Sequence, residues 1–143
     1  MLKIGFTGTR GDKDQGGGMT DAQKKSLTKL LKSKTFDEFH HGDCIGSDQQ
    51  AHDIVRNIRK EVKIIGHPPK YNKFRAYCEF DMEHKVHDYL NRNHYIVDDT
   101  DALVATPFDE ETLRSGTWST VRYARKLGKI VYIIKPDGKV IKE

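Results

Sequence analysis

Residues Arg114-Ser115-Gly116-Thr117-Trp118-Ser119-Thr120 carry the chemistry most readily read from this chain. The apolar run Ala102-Leu103-Val104-Ala105 precedes them and an amphipathic helical run follows, so Gly116 sits where a strand gives way to a helix. A glycine turn that opens a helix is an anion site. Gly116 lets backbone come close to a ligand, while Thr117, Ser119 and the first free N–H groups of the helix can donate to phosphate oxygens, aided by the helix dipole. Arg114 and the Ser115 hydroxyl lie beside them. A second such turn, His41-Gly42-Asp43-Cys44-Ile45-Gly46-Ser47-Asp48, follows a strand-like stretch at 36–40 and leads into a helix with Ala51, Ile54, Val55 and Ile58 on its apolar face. Gly42, Gly46 and Ser47 can present N–H groups there, and Asp43 or Asp48 can meet a ribose hydroxyl or a base edge. A third, Thr7-Gly8-Thr9-Arg10, leaves the first strand with hydroxyls and a guanidinium whose planar fork can clamp a phosphate. Glycine turns at equivalent places point to one bound nucleotide-like ligand.

What is missing narrows the chemistry. No G-x-G-x-x-G opens a helix after the first strand and no G-x-x-x-x-G-K-[ST] occurs, so dinucleotide cofactors and ATP hydrolysis lose support. No G-x-S-x-G elbow is present. His40, His41, Asp43 and Cys44 crowd together, and His84 and His87 stand three apart, but neither group repeats a zinc spacing; no metal and no organic cofactor are expected. Cys44 and Cys78 form no disulfide framework and are expected as free thiols.

The elements that must position these residues follow from 143 residues, enough for one ordinary core, read as a single domain spanning 1–143. Strands are expected at 3–7, 36–40, 62–66, 102–105 and 130–134, with a short terminal strand at 139–141. Helices are expected from Thr20, whose capping box pairs it with Gln23, from 47 to 60 with Ser47 or Asp48 as N-cap, around 85–92, and from 118 to 127 with Gly128 as its cap. The glycine-rich segment 8–18 is expected to be mobile. This alternation predicts an α/β, Rossmann-like fold: a mostly parallel sheet with helices on both faces and ligands at the carboxyl ends of the strands. No apolar run reaches the length of a membrane helix and no secretory signal is read at the start, so a cytoplasmic location and no membrane partner are expected. The net charge of +4 comes from scattered lysines rather than one patch, which disfavours nucleic acid as a partner.

Taken together, Gly5 to Arg10, the His41 to Asp48 turn, Arg92-Asn93 before Ile96-Val97-Asp98, and Ser115 to Thr120 with Tyr123-Ala124 resemble the SLOG superfamily, which joins DprA/Smf with the LOG proteins; the chain is most similar to its small YspA/YpsA-related branch. The resemblance implies a Rossmann-like sheet that binds nucleotides or nucleotide-derived molecules, often as a homo-oligomer, in signalling within prophage or defence systems. It places Gly8, Arg10, Gly42, Gly46, Asp48, Arg92, Asn93, Ser115, Gly116 and Thr117 around the pocket. LOG enzymes, which cleave the N-glycosidic bond of nucleoside monophosphates, carry P-G-G-x-G-T-x-x-E, and this chain has Thr120 where that glutamate stands. A neutral hydroxyl cannot stabilise an oxocarbenium-like transition state, so the expectation is a sensor or sequestering protein. The alternatives are an N-glycosidase or phosphohydrolase using Asp43, Asp48 or Glu111, and a DprA-like DNA binder.

Overall fold

The computed structural model describes residues 2–12 and 16–143. In chain order it runs β1 (Leu2–Gly8), β2 (Gly11–Asp12), β3 (Gly16–Gly17), α1 (Asp21–Lys32), β4 (Phe36–His41), α2 (Ser47–Ile58), β5 (Lys63–Gly66), β6 (Met82–Glu83), α3 (Tyr89–Asp98), β7 (Ala102–Thr106), α4 (Gly116–Lys126), β8 (Ile130–Ile134) and β9 (Val140–Lys142). Seven strands form one sheet in the order β6-β5-β4-β1-β7-β8-β9, parallel except for β9, and β2 and β3 form a small antiparallel ladder of their own.

Alternating side chains build two cores, one on each face. From β7, Ala102 and Val104 join Phe6, Leu27, Leu31, Phe39 and Val55 under α1 and α2, whereas Leu103 and Ala105 join Ile96, Val97, Val121 and Ala124 under α3 and α4. The period-2 pleat of a strand buried on both sides gives this division. Gly5 keeps α3 close: a Cβ there would lie 2.8 Å from Thr100 Oγ1 and 3.0 Å from Ile96 Cγ2.

Helix α1 starts as its sequence dictates, with the Thr20 hydroxyl accepting from Gln23 N and the Gln23 side chain accepting from Thr20 N, each at 3.0 Å. Two expectations are corrected. Neither Ser47 nor Asp48 caps α2; the N-cap is Gly46 at φ +89°, because the Ser47 hydroxyl donates instead to Thr9 O at 2.6 Å and the Asp48 carboxylate accepts from Cys44 N at 3.1 Å. The third helix begins four residues late, at Tyr89, since Asp88 is the residue whose carboxylate accepts from Asn91 N, and it continues to Asp98 so that Arg92, Ile96 and Val97 share the buried face. Edge strand β6 carried no sequence signal, and β9 lies one residue beyond its expected place. Residues 13–15 of the segment expected to be mobile lie outside the described residues. Its return limb is held by Gln50 of α2, which accepts from Met19 N and donates to Gly17 O.

Candidate functional site

Chain order along the sheet reverses at β1: β4, β5 and β6 lie on one side, β7, β8 and β9 on the other. In such a sheet the loops leaving adjacent strands diverge at the reversal and open a crevice at their carboxyl ends. A cavity of about 500 Å³ occupies that place, a size suited to a small organic ligand. Of the residues singled out from sequence, Gly8, Thr9, Arg10, Gly42, Asp48, Arg92, Asn93, Arg114, Ser115, Gly116 and Thr117 all line it, brought from the ends of β1, β4 and β7 and from helices α2, α3 and α4.

One wall is the start of α4. Ser115 is its N-cap, its hydroxyl accepting from Trp118 N at 3.2 Å and its carbonyl from Ser119 N at 2.9 Å. The N–H groups of Gly116 and Thr117 take no partner among the described residues, which leaves two aligned donors at the positive end of the helix. Gly116 is exposed, and a Cβ added there would meet nothing within 4 Å, so its missing side chain leaves open space above those donors. Thr120 plays no part in this wall: its hydroxyl donates to Gly116 O at 2.8 Å within the helix and is buried.

Arg92 forms the floor. Only 5% exposed, it donates from Nε to Asn93 Oδ1 at 2.8 Å and from Nη1 to the carbonyls of Gly42 and His67, while among the described residues Nη2 has only the weak acceptor Cys44 Sγ, at 3.7 Å. Gly42 makes room for it, since a Cβ there would lie 2.6 Å from Arg92 Cζ. A guanidinium fixed at one edge and weakly satisfied at the other is prepared for an anion. Arg10 is held across the cavity with its Cζ 3.7 Å from the centre of the Phe74 ring. Beside Arg92, burial lifts the Asp48 carboxyl from its ordinary 3.8 to about 6, against the opposing pull of the guanidinium. Asp48 therefore holds a proton far closer to neutral pH than an ordinary aspartate does.

Three of the residues singled out lie outside the cavity lining. Asp43, fully buried at φ +57°, pairs its Oδ2 with Arg75 Nε at 2.7 Å and accepts from Cys78 N through Oδ1 at 2.9 Å, so it organises the loop after β5. Ser47 gives both its N–H and its hydroxyl to Thr9 O, and Gly46 bridges to Arg10; together they brace the loop after β1. Gly8 lines the cavity, yet its lack of a side chain is fixed by packing, because a Cβ would lie 2.5 Å from Ser47 Cβ. Glu111, an alternative acid or base by sequence, is held by Arg122 and Arg125 away from the lining, with its carboxyl depressed by the hydrogen bonds from Arg125 and Arg122.

Sequence reasoning missed the aromatic and acidic rim. Tyr89, Phe108, Asp109, Glu110 and Thr112 line the cavity, and so does the Trp118 side chain. The Trp118 indole donates to Asp109 O at 3.0 Å and pins the loop after β7 to α4. A signal existed for that loop: it leaves the carboxyl end of a central strand, where lining residues are expected.

No protein-family model and no curated protein sequence matches this chain. Solved structures do. The X-ray structure of TM1055 superposes with a TM-score of 0.67 at 20% identity, over 92% of this chain and 72% of that one. A molybdenum cofactor binding protein from the phototrophic bacterium Rippkaea orientalis superposes with a TM-score of 0.69, also at 20% identity, over 94% and 76%. Among the described residues no helix is long and apolar enough to cross a membrane. The sheet order, the two helical layers and these superpositions together define a Rossmann-like α/β fold.

Proposed function

We propose that this chain binds a phosphorylated nucleotide or nucleotide-derived signal in the cavity at the end of β1, as a sensor or sequestering protein of the SLOG type, in the small YspA/YpsA-related branch. One observation carries the reading: the free N–H groups of Gly116 and Thr117 open onto the same cavity as the guanidinium groups of Arg10, Arg92 and Arg114. Phosphate is the ligand part these donors match, and the Tyr89, Phe108 and Trp118 rings on the rim offer apolar faces for a base. A neighbour of the same fold is named for binding a cofactor, which supports a small organic ligand. The test is mass spectrometry of molecules released by heating the purified protein, with calorimetry on whatever is found. A phosphate-bearing nucleoside bound one per chain is expected; release of nothing, with no thermal protection by any nucleotide offered, would refute the reading.

Asp48 supports a second reading, hydrolysis. Its carboxyl, raised to about 6 and facing the cavity, suits a general acid or base near neutral pH, and it is the one of the three proposed acids that lines the cavity. Against it stands Thr120, turned into its own helix where the LOG resemblance expects a glutamate. Incubation with nucleoside monophosphates should therefore release no free base above the buffer control. Base release abolished by Asp48→Asn would establish the hydrolase instead.

A further inference from the structure

We propose that His40, His67 and Asp99 form a site for a divalent transition metal of the zinc type, beneath the nucleotide cavity on the α3 side of the sheet. The three come from β4, from the residue after β5 and from the C-cap of α3, and each offers a ligand atom within 4.8 Å of the other two. His40 is 3% exposed and His67 1%, so two imidazoles are buried against each other with no apolar reason to be there.

Proton placement decides whether they can bind. His40 Nε2 lies 2.8 Å from Glu38 Oε1, an acceptor, so the ring proton sits on Nε2 and the Nδ1 lone pair faces His67 Nε2 at 2.8 Å. In the metal-free protein His67 Nε2 must then carry a proton and donate it to His40. That leaves His67 Nδ1 as a buried acceptor without a partner among the described residues. Because nothing donates to Nδ1, the proton can move there without losing a hydrogen bond, and His40 Nδ1 and His67 Nε2 then present two lone pairs to one ion. The nitrogens need to part to roughly 3.3 Å, the separation that two tetrahedral Zn–N bonds of about 2.0–2.1 Å require. Glu38 behind His40 supplies the carboxylate that metal-bound histidines commonly donate to. Asp99 is partly open to solvent and gives an entry path, with His84 Nε2 on its Oδ2 at 2.9 Å holding the carboxylate in place.

A second group, His41, His52 and Cys78, lies equally close but fails the same test. His41 Nδ1 accepts from Asp43 N at 3.0 Å, so its proton is fixed on Nε2, where it donates to His52 Nδ1 at 2.9 Å. Both facing nitrogens are thereby committed to a hydrogen bond that a metal would break. The donor set of two imidazoles and one carboxylate favours zinc or a neighbouring transition ion over magnesium or calcium. An ion there would tie β4 and β5 to the end of α3, the helix that carries Arg92.

Zinc titration of the chelator-treated full chain, by calorimetry and by competition with a chromogenic chelator, tests this. One saturable zinc site per chain is expected, with a visible d–d absorption when cobalt replaces zinc. Asp99→Asn, at a half-exposed position that leaves the core intact, and His40→Gln should each weaken binding roughly tenfold or more, and Glu38→Gln roughly 10- to 100-fold through the ring it orients. Cys78→Ser and His52→Gln should leave it unchanged. The proposal is overturned by absence of saturable zinc uptake, by uptake that survives both Asp99→Asn and His40→Gln, or by uptake lost in Cys78→Ser.

Discussion

Replacing Asp48 by Asn should stabilise this protein, and only above acid pH. Its carboxyl is 7% exposed and burial lifts it from 3.8 to about 6, while Cys44 N–H and the positive charge of Arg92 offset part of the cost. In the unfolded chain the group loses its proton near 3.8; in the folded protein it keeps it until about 6. The unfolded state thus binds fewer protons through this window, and stability must fall as pH rises through it. The gap between 3.8 and about 6, at about 1.36 kcal/mol per pKa step, amounts to about 3 kcal/mol, lost in full above the folded value. An asparagine oxygen can still accept from Cys44 N–H and carries no charge to desolvate. Urea unfolding of both proteins across the range should show the variant more stable by up to about 3 kcal/mol near neutral pH, with the two curves meeting below about pH 4. His41 and His52, both lowered chiefly by burial, give each protein an opposite slope that cancels in the difference. A difference that stays constant with pH, or a less stable variant at neutral pH, would refute the reasoning.

Gly116→Val should leave the thermal midpoint within a few degrees of wild type, since its Cβ enters open space, yet weaken a phosphorylated ligand by at least roughly tenfold, about 1.4 kcal/mol, in calorimetry. Equal affinity would remove the α4 wall from the site. Arg10→Ala should cost about 1.5 to 3 kcal/mol of affinity, the worth of a hydrogen bond to a charged group, with little change in stability because the side chain is exposed; a loss below about 0.5 kcal/mol would leave Arg10 merely stacked on Phe74. Gly42→Ala should destabilise by roughly 3 kcal/mol in denaturant unfolding, as its Cβ drives the Arg92 guanidinium from the carbonyls of Gly42 and His67. Added to Arg92→Ala, the same change should cost far less, and additive losses would show that the two residues do not interact.

Local signals made much of this fold legible. The capping box at Thr20 depends on residues within one turn and the apolar runs at 102–105 and 130–134 on residues within one strand, and both stand in the structure as read, whereas the last helix begins at Gly116, two residues before its expected start, because the Ser115 hydroxyl caps it. Signals that depend on distant partners were not legible. The start of α3 was lost in a stretch of mixed charge and histidine, because the buried face of Arg92, Ile96 and Val97 is recognisable only once β1 and α4 are beside it. Asp43 looked like a ligand group beside two glycines; its partners are Arg75 and Cys78, more than 30 residues on. The histidines pair across β4 and β5, at a separation of 27 residues that no metal-binding spacing announces.

The three glycine turns show where sequence stops distinguishing causes. Gly8, Gly42 and Gly116 each follow a strand or open a helix, and each invites the same inference, that backbone must approach a ligand. Their surroundings separate them. At Gly8 an added methyl would strike Ser47, and at Gly42 it would strike Arg92, so both are small because protein already fills the space. At Gly116 the space is empty, two helix N–H groups border it, and Arg10, Arg92 and Arg114 line the cavity onto which it opens. Absence of a side chain is explained by packing in the first two cases and by nothing among the described residues in the third. The proposed ligand is therefore expected against Gly116, while Gly8 and Gly42 would act on it only through the loop and the guanidinium they allow into place.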